Sequence, residues 1–256
     1  MARAKLNGIE IDYEVGGEGP AILLTHGFSA TGWMWRPQRP AVEARFRLIT
    51  WDLRGHGQTE APAEPDRYGH DLAVGDMAAL LDHVGERRAV IGGLSLGGYL
   101  SLRLYATYPQ RVRALVICDS GPGYRNPASR EAWNDRAERQ AEDFERRGLA
   151  SLEGRSPEMA QAIARHRSAE GLARAARGLL KQFDSRVIDL LPSVKVPTLV
   201  IVGDRDEAFL APCRYMADKI PGARLEIIPG AGHASNLDQP ERFNRALVDF
   251  LDSLPA

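Results

Sequence analysis

The chain has 256 residues, 44% of them hydrophobic and 26% charged, the proportions of an ordinary globular protein able to bury about three quarters of its unfolded surface in one α/β domain. Lys and Arg number 33 against 34 Asp and Glu, a formal net charge of −1, which argues against nucleic acid or an anionic membrane surface as the partner. Cys118 and Cys213 are the whole cysteine complement, too few for a disulfide framework, so a reducing compartment is the default.

In chain order, residues 1–6 open no apolar stretch and no Asn-x-Ser/Thr acceptor occurs anywhere. No secretory signal is expected, and with no apolar run near the roughly 18 residues of a membrane span, a soluble cytoplasmic protein is. Residues 9–15 alternate apolar and polar before Gly16-Gly17, the pattern of an antiparallel edge strand ending in a turn. Short runs that are apolar throughout follow at 21–24, 47–51, 89–91, 114–118 and 198–202. Such runs suit a parallel sheet covered on both faces. Helical patterns lie between them, near 70–85, 95–108, 208–220 and 238–253. The alternation predicts an α/β fold with a mostly parallel, doubly wound sheet.

Residues 121–192 break that alternation, with helix starts and apolar stripes but no strand signal. Asn126-Pro127 and Ser156-Pro157 each place a capping residue before a proline at the first helical position. Trp133, Ala137, Ala141 and Phe144 form one narrow stripe; Leu172, Ala175, Ala176, Leu179, Leu180 and Phe183 form another. A helical cap over 121–192 is therefore expected, inserted into a core built from 1–120 and 193–256.

The chemistry begins at Gly93-Leu94-Ser95-Leu96-Gly97, between the strand run at 89–91 and a helical pattern. The Gly-x-Ser-x-Gly pattern arises by chance in roughly one chain in eight of this composition, so the context decides. A serine on a sharp strand-to-helix turn needs glycines where side chains would clash, and the turn presents the hydroxyl above the sheet edge. Ser95 is the candidate nucleophile. It needs a base, and the base needs an orienting acid, following in the order acid then histidine. His233 follows the apolar residues 225–228 through Pro229-Gly230-Ala231-Gly232. Three acids are open: Asp119 after the run 114–118, and Asp204 or Asp206 after the run 198–202. All lie just beyond strand C-termini, where open α/β sheets build their sites.

Taken with His26-Gly27-Phe28 and Asp52-Leu53-Arg54-Gly55-His56-Gly57, these motifs make the chain similar to serine hydrolases of the α/β-hydrolase superfamily, nearly end to end outside the cap. The resemblance implies that Asp206, the second aspartate of a Gly-Asp-x-Asp pattern, is the triad acid. It also implies that the backbone N–H groups of Phe28 and Leu96 form the oxyanion hole. His26 is expected to tie down the oxyanion loop and His56 to be structural; His70, His83 and His166 have no partner motif. Trp33, Trp133 and Phe209 are candidate pocket walls. No His/Cys/Asp/Glu cluster has metal-ligand spacing and no dinucleotide fingerprint occurs, so neither metal nor cofactor is implied.

Epoxide hydrolases and haloalkane dehalogenases would carry aspartate where Ser95 stands. Met34-Trp35-Arg36-Pro37-Gln38 and the tail from His233 to Asn244 resemble enol-lactonases and small carboxylesterases of aromatic catabolism. The expected activity is hydrolysis of carboxylic esters, with a small ester or lactone as partner and short acyl groups preferred. Lactone hydrolysis of the 3-oxoadipate enol-lactone kind, C–C bond hydrolysis and perhydrolysis are its chemical neighbours. A ligand receptor on the same fold is the alternative of a different class, since fold does not decide function.

Overall fold

A computed structural model describes residues 2–154 and 156–255. Eight strands form one sheet: β1 (Ala2–Leu6), β2 (Ile9–Gly16), β3 (Ala21–Thr25), β4 (Arg47–Trp51), β5 (Ala89–Leu94), β6 (Val112–Cys118), β7 (Thr198–Gly203) and β8 (Arg224–Ile228), in the order β1-β2-β4-β3-β5-β6-β7-β8. β2 pairs antiparallel with both β1 and β4, and every other pairing is parallel. The 9–15 strand is therefore second from the edge. β1 is the edge, joined to β2 through Asn7 and Gly8, both at positive φ (47° and 80°). An Asn-Gly pair of that conformation is a two-residue hairpin turn.

Successive side chains along the central strands bury on opposite faces, as strand geometry requires. Leu23, Ile91, Leu115 and Ile117 join one apolar layer, while Ile22, Leu24, Val90 and Val116 join the other. The first layer is covered by α2 (His70–His83), α3 (Leu96–Thr107) and α8 (Leu210–Lys219), and the second by α1 (Arg39–Glu43) and α9 (Pro240–Asp252). The sheet is doubly wound. Among the described residues, no helix is long and apolar enough to cross a membrane.

Between β6 and β7 the described residues contain helices and no strand: α4 (Pro127–Arg147), α5 (Pro157–Ala162), α6 (Ala169–Ala175) running into a π-turn at Ala176–Leu180, and α7 (Arg186–Leu190). Asn126 caps α4, its Oδ1 accepting from the N–H groups of Ala128 (2.8 Å) and Ser129 (3.2 Å). Ser156 does not cap α5; its hydroxyl donates to the Glu158 carboxylate instead. Ala137, Ala141, Phe144, Leu172 and Leu179 are buried as their stripes require, but Phe183 is 59% exposed. The helix ends at Leu180 and Lys181 turns extended, so Phe183 leaves the stripe.

The registers set the site. Thr25 lies opposite Gly93, Leu94 opposite Cys118, Cys118 opposite Ile201 and Gly203 opposite Ile228. The C-terminal ends of β3, β5, β6, β7 and β8 are thus level, and the loops after them meet along one edge of the sheet.

Candidate active site

Ser95 sits between β5 and α3 at φ 54° and ψ −113°, a sparsely populated conformation that costs on the order of 1–3 kcal/mol. The turn is fixed from several sides. Its N–H donates to the Cys118 carbonyl (2.9 Å), and its carbonyl accepts from Ser120 Oγ (2.7 Å). A Cβ at Gly93 would come within 2.4 Å of the Thr25 carbonyl oxygen, and one at Gly97 within 2.2 Å. Any side chain at either position would push β3 away, which is why the turn needs both glycines.

His233 and Asp206 arrive on neighbouring loops. His233 Nδ1 lies 2.8 Å from Asp206 Oδ2, and Asp206 is buried. The loop carrying Asp206 then enters α8, Leu210 N–H donating to the Asp206 carbonyl (2.9 Å). Phe209 stacks on the His233 ring, centroids 4.9 Å apart. Burial disfavours the charged imidazole, but the hydrogen bond and charge of Asp206, with Asp119 and Glu158 behind it, outweigh burial and hold the pKa above its ordinary value of 6.5. Among the described residues Ser95 Oγ makes no hydrogen bond to His233, yet both border one cavity; such contacts often close only around substrate.

The other two acids do different work. Asp119, at φ 44° and fully buried, accepts from Gly203 N–H (2.8 Å) and from Ser235 Oγ (2.5 Å). It joins β6 to β7 and to the loop of His233, and burial raises its pKa to about 7. Asp204 accepts from Gly230 N–H (2.8 Å) and braces the turn before His233.

The loop after β3 brings Phe28 beside Ser95: a Cβ on Gly27 would stand 3.5 Å from Ser95 Cβ. The N–H groups of Phe28 and Leu96 have no hydrogen-bond partner among the described residues. His26 holds this loop, its Nδ1 donating to the Gly27 carbonyl (2.7 Å) and its Nε2 accepting from Leu53 N–H (3.0 Å). Burial disfavours its charged form and lowers its pKa to about 3. His166, from the helical segment, adds a tie that no sequence motif marks. Its Nδ1 accepts from Gly57 N–H (2.9 Å) and its Nε2 donates to the Ser29 carbonyl (3.0 Å).

Two cavities meet at Ser95. One, of about 460 Å³, is bordered by Ser95, Tyr99, Leu179, Gln182 and Tyr215; the other, of about 230 Å³, by Ser95, Phe28, Glu158, Met159 and His233. Trp133, Arg136, Leu180 and Phe209 wall both. Trp133 is fixed by donating its indole N–H to the Leu180 carbonyl (2.7 Å). Trp33, expected at the pocket, lies elsewhere. It borders a separate 200 Å³ cavity, between the guanidinium groups of Arg36 and Arg165 at 3.6 and 3.4 Å from its ring centroid. Two stacked cations hold it in that place. Glu158, Gln182 and Arg136, which border the cavities, lack any spacing signal that would have singled them out.

A family model described as the alpha/beta hydrolase fold matches residues 20–240. The structure of a thermophilic esterase from Thermogutta terrifontis, with malate bound, superposes with a TM-score of 0.87 at 31% identity over all of both chains. The 3-oxoadipate enol-lactonase 1 of Acinetobacter baylyi is 28% identical over 252 residues, 92% of this chain and 90% of its own. A further hydrolase branch is represented by the 2-(acetamidomethylene)succinate hydrolase of Mesorhizobium japonicum, 28% identical over 273 residues, covering 98% of this chain and 95% of its own.

Proposed function

The chain belongs to the α/β-hydrolase family, and from that premise we propose that it is a serine hydrolase of carboxylic esters working through an acyl-enzyme on Ser95. The observation that carries this reading is the 2.8 Å contact of His233 Nδ1 with Asp206 Oδ2 beside a serine held on a strained strand-to-helix turn. Ser95 Oγ attacks the ester carbonyl while His233 Nε2 takes its proton. Asp206 fixes the tautomer and stabilises the imidazolium. The oxyanion accepts from the N–H groups of Phe28 and Leu96, each worth about 2.7–4 kcal/mol in such sites. Collapse of the tetrahedral adduct breaks the C–O bond, and His233 returns the proton to the departing alcohol. Water, deprotonated by His233, then releases the acid and restores the serine.

His233 borders the 230 Å³ cavity but not the 460 Å³ one. Its proton goes to the leaving oxygen, so we place the alcohol in the smaller cavity and the acyl group in the larger. Residues 121–192 act as the cap, closing both cavities with Trp133 and Leu180. At about 30 Å³ per water-sized group the acyl cavity holds roughly fifteen such groups, room for short and medium-chain acids. A lactone would be opened by the same steps, its alcohol staying attached to the acid; the enol-lactonase relative favours this as the second reading. Release of p-nitrophenol from its butyrate ester over many turnovers, abolished by Ser95→Ala, is the result expected. A single turnover per chain would mark a receptor instead.

A further inference from the structure

Glu158 is a buried carboxylate that the proposed mechanism leaves unused. The residue is 2% exposed. Its Oε1 accepts from Ser156 Oγ, whereas Oε2 is buried and has no hydrogen-bond partner among the described residues. An acceptor withdrawn from water in this way costs free energy unless something donates to it. Arg136 borders the same cavity but forms no ion pair with Glu158 among the described residues. Gln140 also borders this cavity and makes no hydrogen bond to Glu158 among the described residues, and Phe28, Leu94, Ala137, Met159 and Leu180 give the cavity an apolar remainder. Of the two cavities that meet at Ser95, the 230 Å³ one beside His233 is the one Glu158 borders, so a substrate group held there comes closest to it.

We propose that Glu158 selects the alcohol part of the substrate, Oε2 accepting a hydrogen bond from a second hydroxyl on the leaving group. The inference rests on the serine-hydrolase reading, which places the leaving group in this cavity beside His233. Room for roughly eight water-sized groups admits the monoester of a small diol or polyol. A simple alkyl alcohol of the same size also fits, but leaves Glu158 unpaired.

The matched substrates are 2-hydroxyethyl acetate and n-propyl acetate, which differ by a hydroxyl in place of a methyl group. Acid release is followed in a pH-stat, and the ratio of their kcat/KM values is the readout. The wild type should favour the hydroxyethyl ester by about tenfold or more, the scale of a hydrogen bond to a buried charged group. Glu158→Met, similar in shape but without an acceptor, should bring the ratio to about one or below. Glu158→Gln keeps an acceptor without the charge and should lower the ratio several-fold, which carries the test if the methionine variant does not fold. A wild-type ratio near one, or an equal loss on both esters with the ratio unchanged, overturns the proposal. Ser95→Ala is run alongside: continued turnover of either ester by that variant would sink the reading of the site itself, a failure distinct from that of Glu158.

Discussion

Replacing His166 by glutamine tests how the helical segment is fastened to the core. The imidazole accepts from Gly57 N–H and donates to the Ser29 carbonyl, and burial lowers its pKa to about 4. At pH 7 it is neutral both folded and unfolded. Below pH 6.5 the unfolded chain takes up a proton that the folded chain refuses, so this group's contribution to stability is present above 6.5 and is lost progressively toward pH 4. At pH 5 the difference is about 1.5 pH units, or about 2 kcal/mol at 1.36 kcal/mol per unit. Glutamine offers the same acceptor and donor and does not titrate. Between pH 7 and pH 5 the variant should therefore lose about 2 kcal/mol less stability than the wild type. That corresponds to a fall in Tm smaller by about 4–8 °C at the 2–4 °C per kcal/mol of domains near this size. Thermal melts followed by circular dichroism at constant ionic strength measure it. His26 and His70, with pKa values lowered to about 3 and about 4 by burial, keep titrating in both proteins, so the difference belongs to residue 166. Equal losses in the two proteins would refute the argument.

Asp206→Asn should lower kcat by about 10⁴ with little change in fold, and move the acid limb of the pH–rate profile downward, because the carboxylate that sustains the basicity of His233 is gone. Asp119→Asn should keep most activity, since Asn can still accept from Gly203; collapse of this variant with Asp206→Asn active would reassign the acid. For p-nitrophenyl esters, kcat/KM should be higher for the C4 than for the C16 chain, because Trp133 and Leu180 of the cap wall the larger cavity that takes the acyl group. The reverse order would mean that the acyl group does not lie there.

Much of the fold is legible because buried parallel strands are apolar throughout and the glycines of the Ser95 turn are sterically required. β1 is harder to see. Its residues Ala2, Arg3, Ala4 and Lys5 are those of an exposed edge strand, with little apolar content to detect. The Asn7-Gly8 pair, a hairpin signal, marks it nonetheless. Phe183 shows how a helical stripe misleads where the helix stops short of it. The spacing of Ser95, Asp206 and His233 foretold loops at a common sheet edge, and strand register brings them there. Glu158, Gln182 and His166 are different. His166 ties loops more than a hundred residues away, and Glu158 and Gln182 border cavities whose other walls come from distant parts of the chain, placements that leave no local pattern. Trp33 was equally ambiguous: an aromatic residue near a predicted site says nothing of which cavity it walls, and two arginines fix it outside the one beside Ser95.

The central claim, covalent catalysis through Ser95, is met most directly by a fluorophosphonate and intact-protein mass spectrometry. One adduct per chain should form, map to the peptide carrying Ser95, and be absent from Ser95→Ala. An adduct that persists in Ser95→Ala, or one that maps to another residue, would contradict the account.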